Sequence, residues 1–518
     1  MGTCNSTSNN HNRTEKHCIT LPSTNNVPID LSPKQSKALK FKEKEEHFSL
    51  KKITTGITKS SSTKTVCQAP FLMIPTSMMY PLRKDVPTLH YTIKDKVGIG
   101  SFGTVFQAEN QKLHTKLALK KIIKTSTTND EFKSELSVLR NCSHPNIITL
   151  HECYETKKAY YLATTLCQYD LYSQLGKKYS ECQLADMFFQ LLSALSYLHK
   201  KQVVHRDLKL ENIMIFDTEV SKLTKETFYN IKLIDFGTTT PYPRHDKEIV
   251  GSAYYLAPEV ICDNYYTDKC DIWSAGIILY MLLTQKSPYK AIEGDSLSII
   301  EEAKRVKFKV DMKDVNYCSD ELKELLNILL EVDFNKRPSA KEILTHKWFK
   351  LNCRKSFYTV NQSDNERLKK SIESIVAYKS YDSFTKIVLM YICRKNSFID
   401  NPYYNKLFWK INKSRDGFIK KKELYNELKN YYTDLYIDDI YESICCSIGN
   451  KYIEYIDFVS SCVDKKLLCK SEKYLKDAYD SISNDVNSDI YKIIFDSNEH
   501  MLYEDFKQTI MKNVFESE

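Results

Sequence analysis

From about Tyr91 onward, short apolar runs alternate with polar turns. Tyr91-Thr-Ile, Thr104-Val-Phe and Leu117-Ala-Leu each predict a strand. Longer periods follow, and Ala185 to Lys200 and Asp271 to Thr284 predict helices. A sheet-rich lobe followed by a larger helical lobe, ending near Phe349, is an α+β arrangement. Before it, residues 1 to about 65 are rich in Ser, Thr, Asn and Lys. Such a segment buries too little apolar surface to offset its ordering entropy, so disorder is expected there. After Lys350 a Lys/Ser-rich connector leads to a helix-like stretch near Leu368 to Cys393, and from Asp400 Tyr-rich amphipathic helices alternate with polar loops. The expected division is an extension at 1–90, an α+β domain at 91–349, a connector at 350–398 and an all-α domain at 399–518.

Composition changes this picture little. Among 518 residues, 42% are hydrophobic and 27% charged, which is ordinary for a soluble protein. The net charge of +9 could favour an anionic membrane face, and nothing in it calls for a nucleic-acid partner. None of the 16 cysteines stands in Cys-x-x-Cys spacing, so reduced cytosolic thiols are expected rather than zinc or disulfides. The longest apolar run, Gly276 to Leu283, suits a core helix and is too short for a bilayer span.

Chemistry enters at Gly98-Ile-Gly-Ser-Phe-Gly103-Thr-Val105. Glycines at this spacing let backbone N–H groups approach phosphate oxygens. A strand, not a helix, follows the loop, which excludes the dinucleotide-binding arrangement. Val97, Gly98, Gly100, Ser101, Phe102, Gly103 and Val105 are therefore candidate nucleotide-binding positions, with Lys120 placed for the α- and β-phosphates. That lysine needs an anionic partner. Glu135 is favoured over Glu131 by its distance from His144-Pro145. His205-Arg-Asp-Leu-Lys-Leu-Glu-Asn212 supplies Asp207 to accept a hydroxyl proton, Lys209 to reach the γ-phosphate and Asn212 to ligate magnesium. Asp235-Phe-Gly237 supplies the main magnesium carboxylate, and Ala257-Pro-Glu259 closes the segment.

Residues 91–349 resemble a eukaryotic protein kinase domain on these ordered motifs. The resemblance implies a bilobal fold, ATP and Mg2+ as cofactors, and serine or threonine hydroxyls of proteins as acceptors. It pairs Glu259 with Arg337, makes Asp271 an anchor of the catalytic loop, and puts the hinge at Leu162 to Cys167. Thr164 then flanks the adenine pocket as gatekeeper, with Leu166 and Cys167 beside it. Asp170 and Glu211 resemble positions that grip a basic residue near the target hydroxyl. Whether Thr238, Thr239, Thr240 or Ser252 takes an activating phosphate, which Arg206 could receive, stays open.

Asn412-Lys-Ser-Arg-Asp-Gly-Phe-Ile-Lys-Lys-Lys-Glu423 can be laid on a twelve-residue EF-hand loop. Asn412, Ser414, Asp416, Phe418 (through its carbonyl) and Glu423 would ligate calcium, and Gly417 would make the turn. The same loop carries five cationic side chains against two carboxylates, so any affinity should be weak. A second loop, Cys446 to Asp457, fits the fold without ligands, and a third loop-like piece runs from Ile494 to Asp505. Kinase, connector and paired hands together resemble the calcium-dependent protein kinases of plants and apicomplexan parasites. That resemblance implies a connector that plugs the catalytic cleft until calcium removes it.

Met1-Gly-Thr-Cys-Asn-Ser6 fits the N-myristoylation pattern at Gly2, and Cys4 offers a palmitoylation site. The two together would hold a cytoplasmic protein at the periphery of a membrane.

Overall fold

The computed structural model describes residues 80–516, apart from 101–102, 126, 222–223, 291–294, 354–364, 397, 446–451 and 484–500. The leader with Gly2 and Cys4, the loop-tip residues Ser101 and Phe102, the start of the second hand-like loop and most of the third lie outside the described residues.

Alternating polarity builds the first lobe. Strands β1 (Leu82–Arg83), β2 (Tyr91–Gly100), β3 (Gly103–Asn110), β4 (Lys116–Ile123), β5 (Leu150–Glu155) and β6 (Ala159–Thr165) form one sheet, in the order β1-β5-β6-β4-β3-β2. Tyr91, Ala108, Leu117, Leu119, Tyr154 and Ala163 pack as one small apolar cluster. Helix α1 (Thr128–Asn141) buries Phe132, Glu135, Leu136 and Leu139, residues three to four apart and so on one face. The single acidic residue of that buried set is the one the site uses.

The second lobe is built on two buried helices. α2 (Glu181–Lys200) opens with a capping box, in which Ser180 accepts from the Gln183 N–H and Gln183 from the Ser180 N–H. Strands β7 (Tyr169–Asp170), β9 (Ile213–Val220) and β10 (Thr227–Leu233) pair in the order β10-β9-β7, while β8 (Val203–Val204) pairs with Thr240–Pro241. After α3 (Pro258–Asp263) comes α4 (Asp268–Thr284), buried on every side from Cys270 to Leu282. Its continuous apolar sequence has that cause. Among the described residues no helix is long and apolar enough to cross a membrane. The lobe closes with α5 (Ser296–Arg305), α6 (Asp320–Leu329), α7 (Ala340–Ile343) and α8 (Lys347–Asn352).

The helix-like stretch near Leu368 to Cys393 is two helices, α9 (Asn365–Tyr378) and α10 (Ser383–Lys395). Asp382 divides them, because its carboxylate accepts the Thr385 N–H at 2.7 Å and starts a new helix. Hands follow as α11 (Pro402–Ile411) with α12 (Lys421–Leu428), and α13 (Asp434–Ile444) with α14 (Tyr455–Cys462). Ile419 and Ile453 exchange two backbone hydrogen bonds of 3.0 Å and join the hands. α15 (Lys465–Lys470), α16 (Glu472–Ser483) and α17 (Tyr503–Glu516) complete the domain.

This domain is docked on the kinase-like lobes through buried ion pairs. Lys232 meets Asp400 at 2.8 Å, and Lys395 bridges Glu152 and Asp477 at 3.0 Å each. Arg394 donates to the Cys142 carbonyl at 3.1 Å, just past the end of α1. Of the expected connector at 350–398, residues 354–364 and 397 lie outside the described residues. The contacts of α10 with the first lobe fall on Cys142, His151 and Glu152, outside the glycine loop and the catalytic loop.

Candidate active site

β2 and β3 present the glycine loop, with Gly98 opposite Val105 and Gly100 opposite Gly103. A Cβ on Gly103 would stand 2.2 Å from the Lys121 carbonyl oxygen, so the strand can pair there only without a side chain. A Cβ on Gly98 would meet nothing within 4 Å, and that open space is what a phosphate cradle requires. Val97 is half exposed at 51%, at the outer edge of the strand.

Lys120 projects from β4 to both Glu135 oxygens at 2.8 Å and to Asp235 Oδ1 at 3.3 Å. Glu135 rather than Glu131 is thus the partner. Burial works against the charge on Lys120, yet Glu135 and Asp235 hold its amine above the ordinary lysine value. Desolvation pushes the Glu135 carboxyl up, and the nearby Asp235 adds to that push against the pull of Lys120. With both oxygens at 2.8 Å from the amine, the geometry is that of an ion pair.

The catalytic loop is held from below by Asp271. Its carboxylate accepts the His205 N–H at 2.9 Å and the Arg206 N–H at 3.0 Å, and pairs with His199 at 2.8 Å. Asp207 is 8% exposed; its Oδ2 meets Lys209 Nζ at 2.7 Å, and its Oδ1 accepts Ser252 Oγ at 2.7 Å. Ser252, read from sequence only as an open phosphate acceptor, therefore holds the Asp207–Lys209 pair from the activation segment. Only its place between Gly251 and the Ala-Pro-Glu stretch could have pointed to it.

Asn212 Nδ2 donates to the Asp207 carbonyl at 2.7 Å, which commits its nitrogen and leaves its amide oxygen for a cation. Asp235 has a left-handed backbone, φ 64°, a strained conformation for a residue with a side chain. An oxygen from Asn212 and a carboxylate from Asp235 suit magnesium. Glu259 and Arg337 form the expected buried pair at 2.8 Å.

Arg206 meets Asp246 and donates to the Thr238 carbonyl. Arg244 meets the same carboxylate. The position a phosphate would take beside Arg206 holds a carboxylate of the chain. Thr164 lies on β6, paired with Ala118 and Leu150, and the neighbouring Thr165 donates to Asp400 at 2.8 Å. Leu166 and Cys167 follow as the half-buried link between the lobes. Loss of water raises the Glu211 carboxyl; the charges of Asp207 and Asp170 add to this, and Lys209 opposes it.

The loop at 412–423 folds as a hand, and the expected ligands Asn412, Ser414, Asp416, Phe418 and Glu423 as placed do not fit a divalent cation. An aspartate at position 1 would give one oxygen to the glycine N–H and the other to the ion. Asn412 has a single oxygen, and the Gly417 N–H takes it at 3.2 Å. Its Nδ2 then faces the Phe418 carbonyl at 2.6 Å, Ser414 Oγ at 3.3 Å and Glu423 Oε2 at 3.4 Å. Those oxygens belong to three of the four other expected ligands, and they surround a donor. The amide cannot be turned, since the Gly417 N–H and the Phe418 C=O fix which end is which. Asp416 meets Lys420 at 2.8 Å, and Glu423 accepts the Ser414 and Lys420 N–H groups at 2.6 and 2.9 Å. Among the described residues no group of three His, Cys, Asp or Glu side chains is placed to hold a metal.

Against known proteins, residues 91–349 match the protein kinase domain family. The chain is similar to calcium-dependent protein kinase 4 of Plasmodium berghei (strain Anka), 32% identical over 406 residues, which cover 73% of this chain and 74% of that protein. The same identity and coverage hold for calcium-dependent protein kinase 4 of Plasmodium falciparum (isolate 3D7). With calcium-dependent protein kinase 3 of Plasmodium yoelii yoelii, identity is 30% over 408 residues, covering 76% of this chain and 72% of that protein. Kinase lobes, intact phosphoryl-transfer residues and paired hands thus coincide with kinship over most of the length, and the chain belongs to the calcium-dependent protein kinase family, a serine/threonine protein kinase.

Proposed function

We propose that this kinase phosphorylates serine or threonine near basic residues, from the periphery of a membrane, under control of its C-terminal domain. The observation that carries the catalytic part is Asp207, held by Lys209 and Ser252 beside the Lys120–Glu135 pair. Asp207 takes the proton of the substrate hydroxyl as that oxygen bonds to the γ-phosphorus and the bond to the ADP oxygen breaks. Lys120 orients the α- and β-phosphates, and Lys209 meets charge on the γ-phosphoryl oxygens. Asn212 and Asp235 would hold magnesium, which when bound neutralises phosphate charge. Asp170 and Glu211 support the preference for basic residues, since the charge of Asp170 is felt at Glu211 and paired carboxylates attract a cationic side chain. A peptide library varied around a central serine tests it: Asp170→Asn with Glu211→Gln should raise KM for Arg-containing peptides and leave neutral ones unchanged. Equal KM shifts for both would remove this reading.

Membrane attachment rests on Gly2 and Cys4 of the sequence. Gly2→Ala should move the protein from the membrane pellet to the soluble fraction, and an unchanged distribution would end the acylation reading.

Calcium control, named in the relatives, comes to this chain as part of the proposal. It is supported by kinship and by the paired hand folds, and it would act outside the loop at 412–423. A second reading makes the C-terminal domain an ion-independent docking module. The Asn412 amide at the centre of that loop favours it. Equal activity in calcium and in chelator would select the second reading.

A further inference from the structure

Two consecutive lysines end helix α2, and each enters a different hand. Lys200 Nζ lies 3.7 Å from Asp416, 4.1 Å from the ring centre of Phe418 and 3.7 Å from that of Tyr452. Phe418 belongs to the first hand and Tyr452 to the second, so their rings flank the Ile419–Ile453 bridge and form an aromatic cage for the ammonium. Lys201 Nζ meets Glu454 of the second hand at 2.7 Å, and Tyr197 donates to the other Glu454 oxygen at 2.8 Å. Asp416 and Glu454 are each 2% exposed; Glu454 meets Lys201 and Tyr197 of the kinase domain, and Asp416 is shared between Lys200 and the hand's own Lys420.

The surrounding contacts fit a permanent seat. A Cβ on Gly417 would lie 2.7 Å from His144 and 2.8 Å from Tyr197, so the turn glycine of the first hand lets the loop press on α2. Ser193 donates to the Arg415 carbonyl at 2.9 Å, and Tyr197 stacks on Phe418 with centroids 4.8 Å apart. Lysines at a helix C-terminus are also favoured by its dipole before any partner arrives.

We propose that the paired hands are a lysine receptor: Lys200 and Lys201 meet a carboxylate in each hand, and these contacts latch the C-terminal domain to α2 without calcium. This deepens the ion-independent reading of the tail, and it makes the hand fold an intramolecular docking surface rather than a sensor. Two consequences follow. The latch should be closed in chelator, and its strength should depend on Lys200 and Lys201.

Terbium luminescence of the full-length protein, excited through Trp409 three residues before the loop, tests occupancy apart from kinase activity. The calcium-competable signal of the wild type and of Glu423→Gln should be equal, because the loop contributes none of it. Asn412→Asp combined with Lys200→Met, which restores a ligand oxygen and removes a cation beside Asp416, should gain a signal. A wild-type signal lost in Glu423→Gln would overturn the proposal. Hydrogen exchange tests the latch: in chelator, Lys200→Met with Lys201→Met should speed exchange at Phe418–Lys420 and Ile453 by roughly tenfold, and the double arginine variant should recover much of the protection. Full protection in the double methionine variant, or protection that appears only with calcium, would also overturn it. Either result leaves the assignment of the phosphoryl-transfer site standing.

Discussion

The catalytic cleft and the first hand are both places where oxygen-bearing side chains converge, and they treat a cation in opposite ways. In the cleft, Asn212 spends its nitrogen on the Asp207 carbonyl and keeps its oxygen available. In the hand, Asn412 spends its oxygen on the Gly417 N–H and turns its nitrogen to the centre. One residue type thus makes a ligand in one setting and a plug in the other. The direction of a single amide, set by which backbone group lies nearest, decides between them. Oxygen donors at ligand spacing mark a cation site only where the chain's own N–H groups do not reach them first.

The comparison breaks most visibly at the cleft. Asp207→Asn should lower kcat by about 10²–10⁴ with little change in the KM for ATP, because the phosphate contacts stay in place. Lys120→Met should also abolish turnover, by freeing the phosphates and leaving the buried Glu135 unpaired. Steady-state rates on a serine peptide check both. Wild-type turnover by either variant would mean that the oxygens in the cleft are not the reacting set.

A smaller effect is expected where a carboxylate stands in for phosphate. Asp246→Ala leaves the half-buried Arg206 without its charge partner and should cost roughly tenfold or more in kcat. Phosphatase treatment of the wild type should leave its rate unchanged, since Asp246 already meets Arg206. A rate that collapses on dephosphorylation would show that one of the activation-segment hydroxyls does this work instead.

What the sequence made legible follows the range of the interactions. Gly98 to Gly103, Asp207, Asn212 and Asp235 could be assigned because each works within a turn of backbone that its own motif shapes. Lys120 and Glu135 needed only the order of one strand and one helix. Ser252 and Asp246 reach back 45 and 40 residues to Asp207 and Arg206, and no local pattern announces that return. The division of α9 from α10 hung on one carboxylate, Asp382, inside a run that otherwise reads as helical. The fate of the first hand depended on packing against α2. Its five cations were visible, but the cation that enters the cage, Lys200, lies more than two hundred residues earlier in the chain.

The hand itself yields a weaker test, because there the carboxylate supports backbone instead of an ion. Glu423→Ala removes the acceptor of the Ser414 and Lys420 N–H groups at the start of α12. It should cost about 1–2 kcal/mol of stability and shift no calcium midpoint. Chemical denaturation in calcium and in chelator reads both at once. A stability loss confined to calcium would return Glu423 to the role of ligand.

The smallest effect is a pH dependence at Lys465, which separates α15 from the ion-paired lysines of the hands. Its side chain is 3% exposed; it donates to the Ser374 carbonyl at 2.7 Å and also to that of Ser461. The rings of Tyr378 and Tyr381 lie 5.2 and 5.9 Å away, and the thiols of Cys393 and Cys462 and the Asp464 carboxylate are the other titratable groups around it. Burial pulls its amine from 10.5 down to about 7, against the weaker upward pull of those neighbours. Burial pushes both thiols up to about 12, so neither titrates near neutrality. A neutral amine still has two N–H groups for the two carbonyls. Between about 7 and 10.5 the unfolded chain holds a proton that the folded chain has released, so stability rises with pH across that window. The slope from this group is at most roughly 1.4 kcal/mol per pH unit. Denaturation between pH 7 and 9 should therefore show a rising stability that Lys465→Met flattens. Lys200→Met should remove less of the slope, because burial lowers its amine too, but Lys200 is only partly buried and Asp416 opposes the shift. If Lys465→Met keeps the full slope, the amine is charged in the fold, held by the two carbonyls and the two rings with the Asp464 charge nearby.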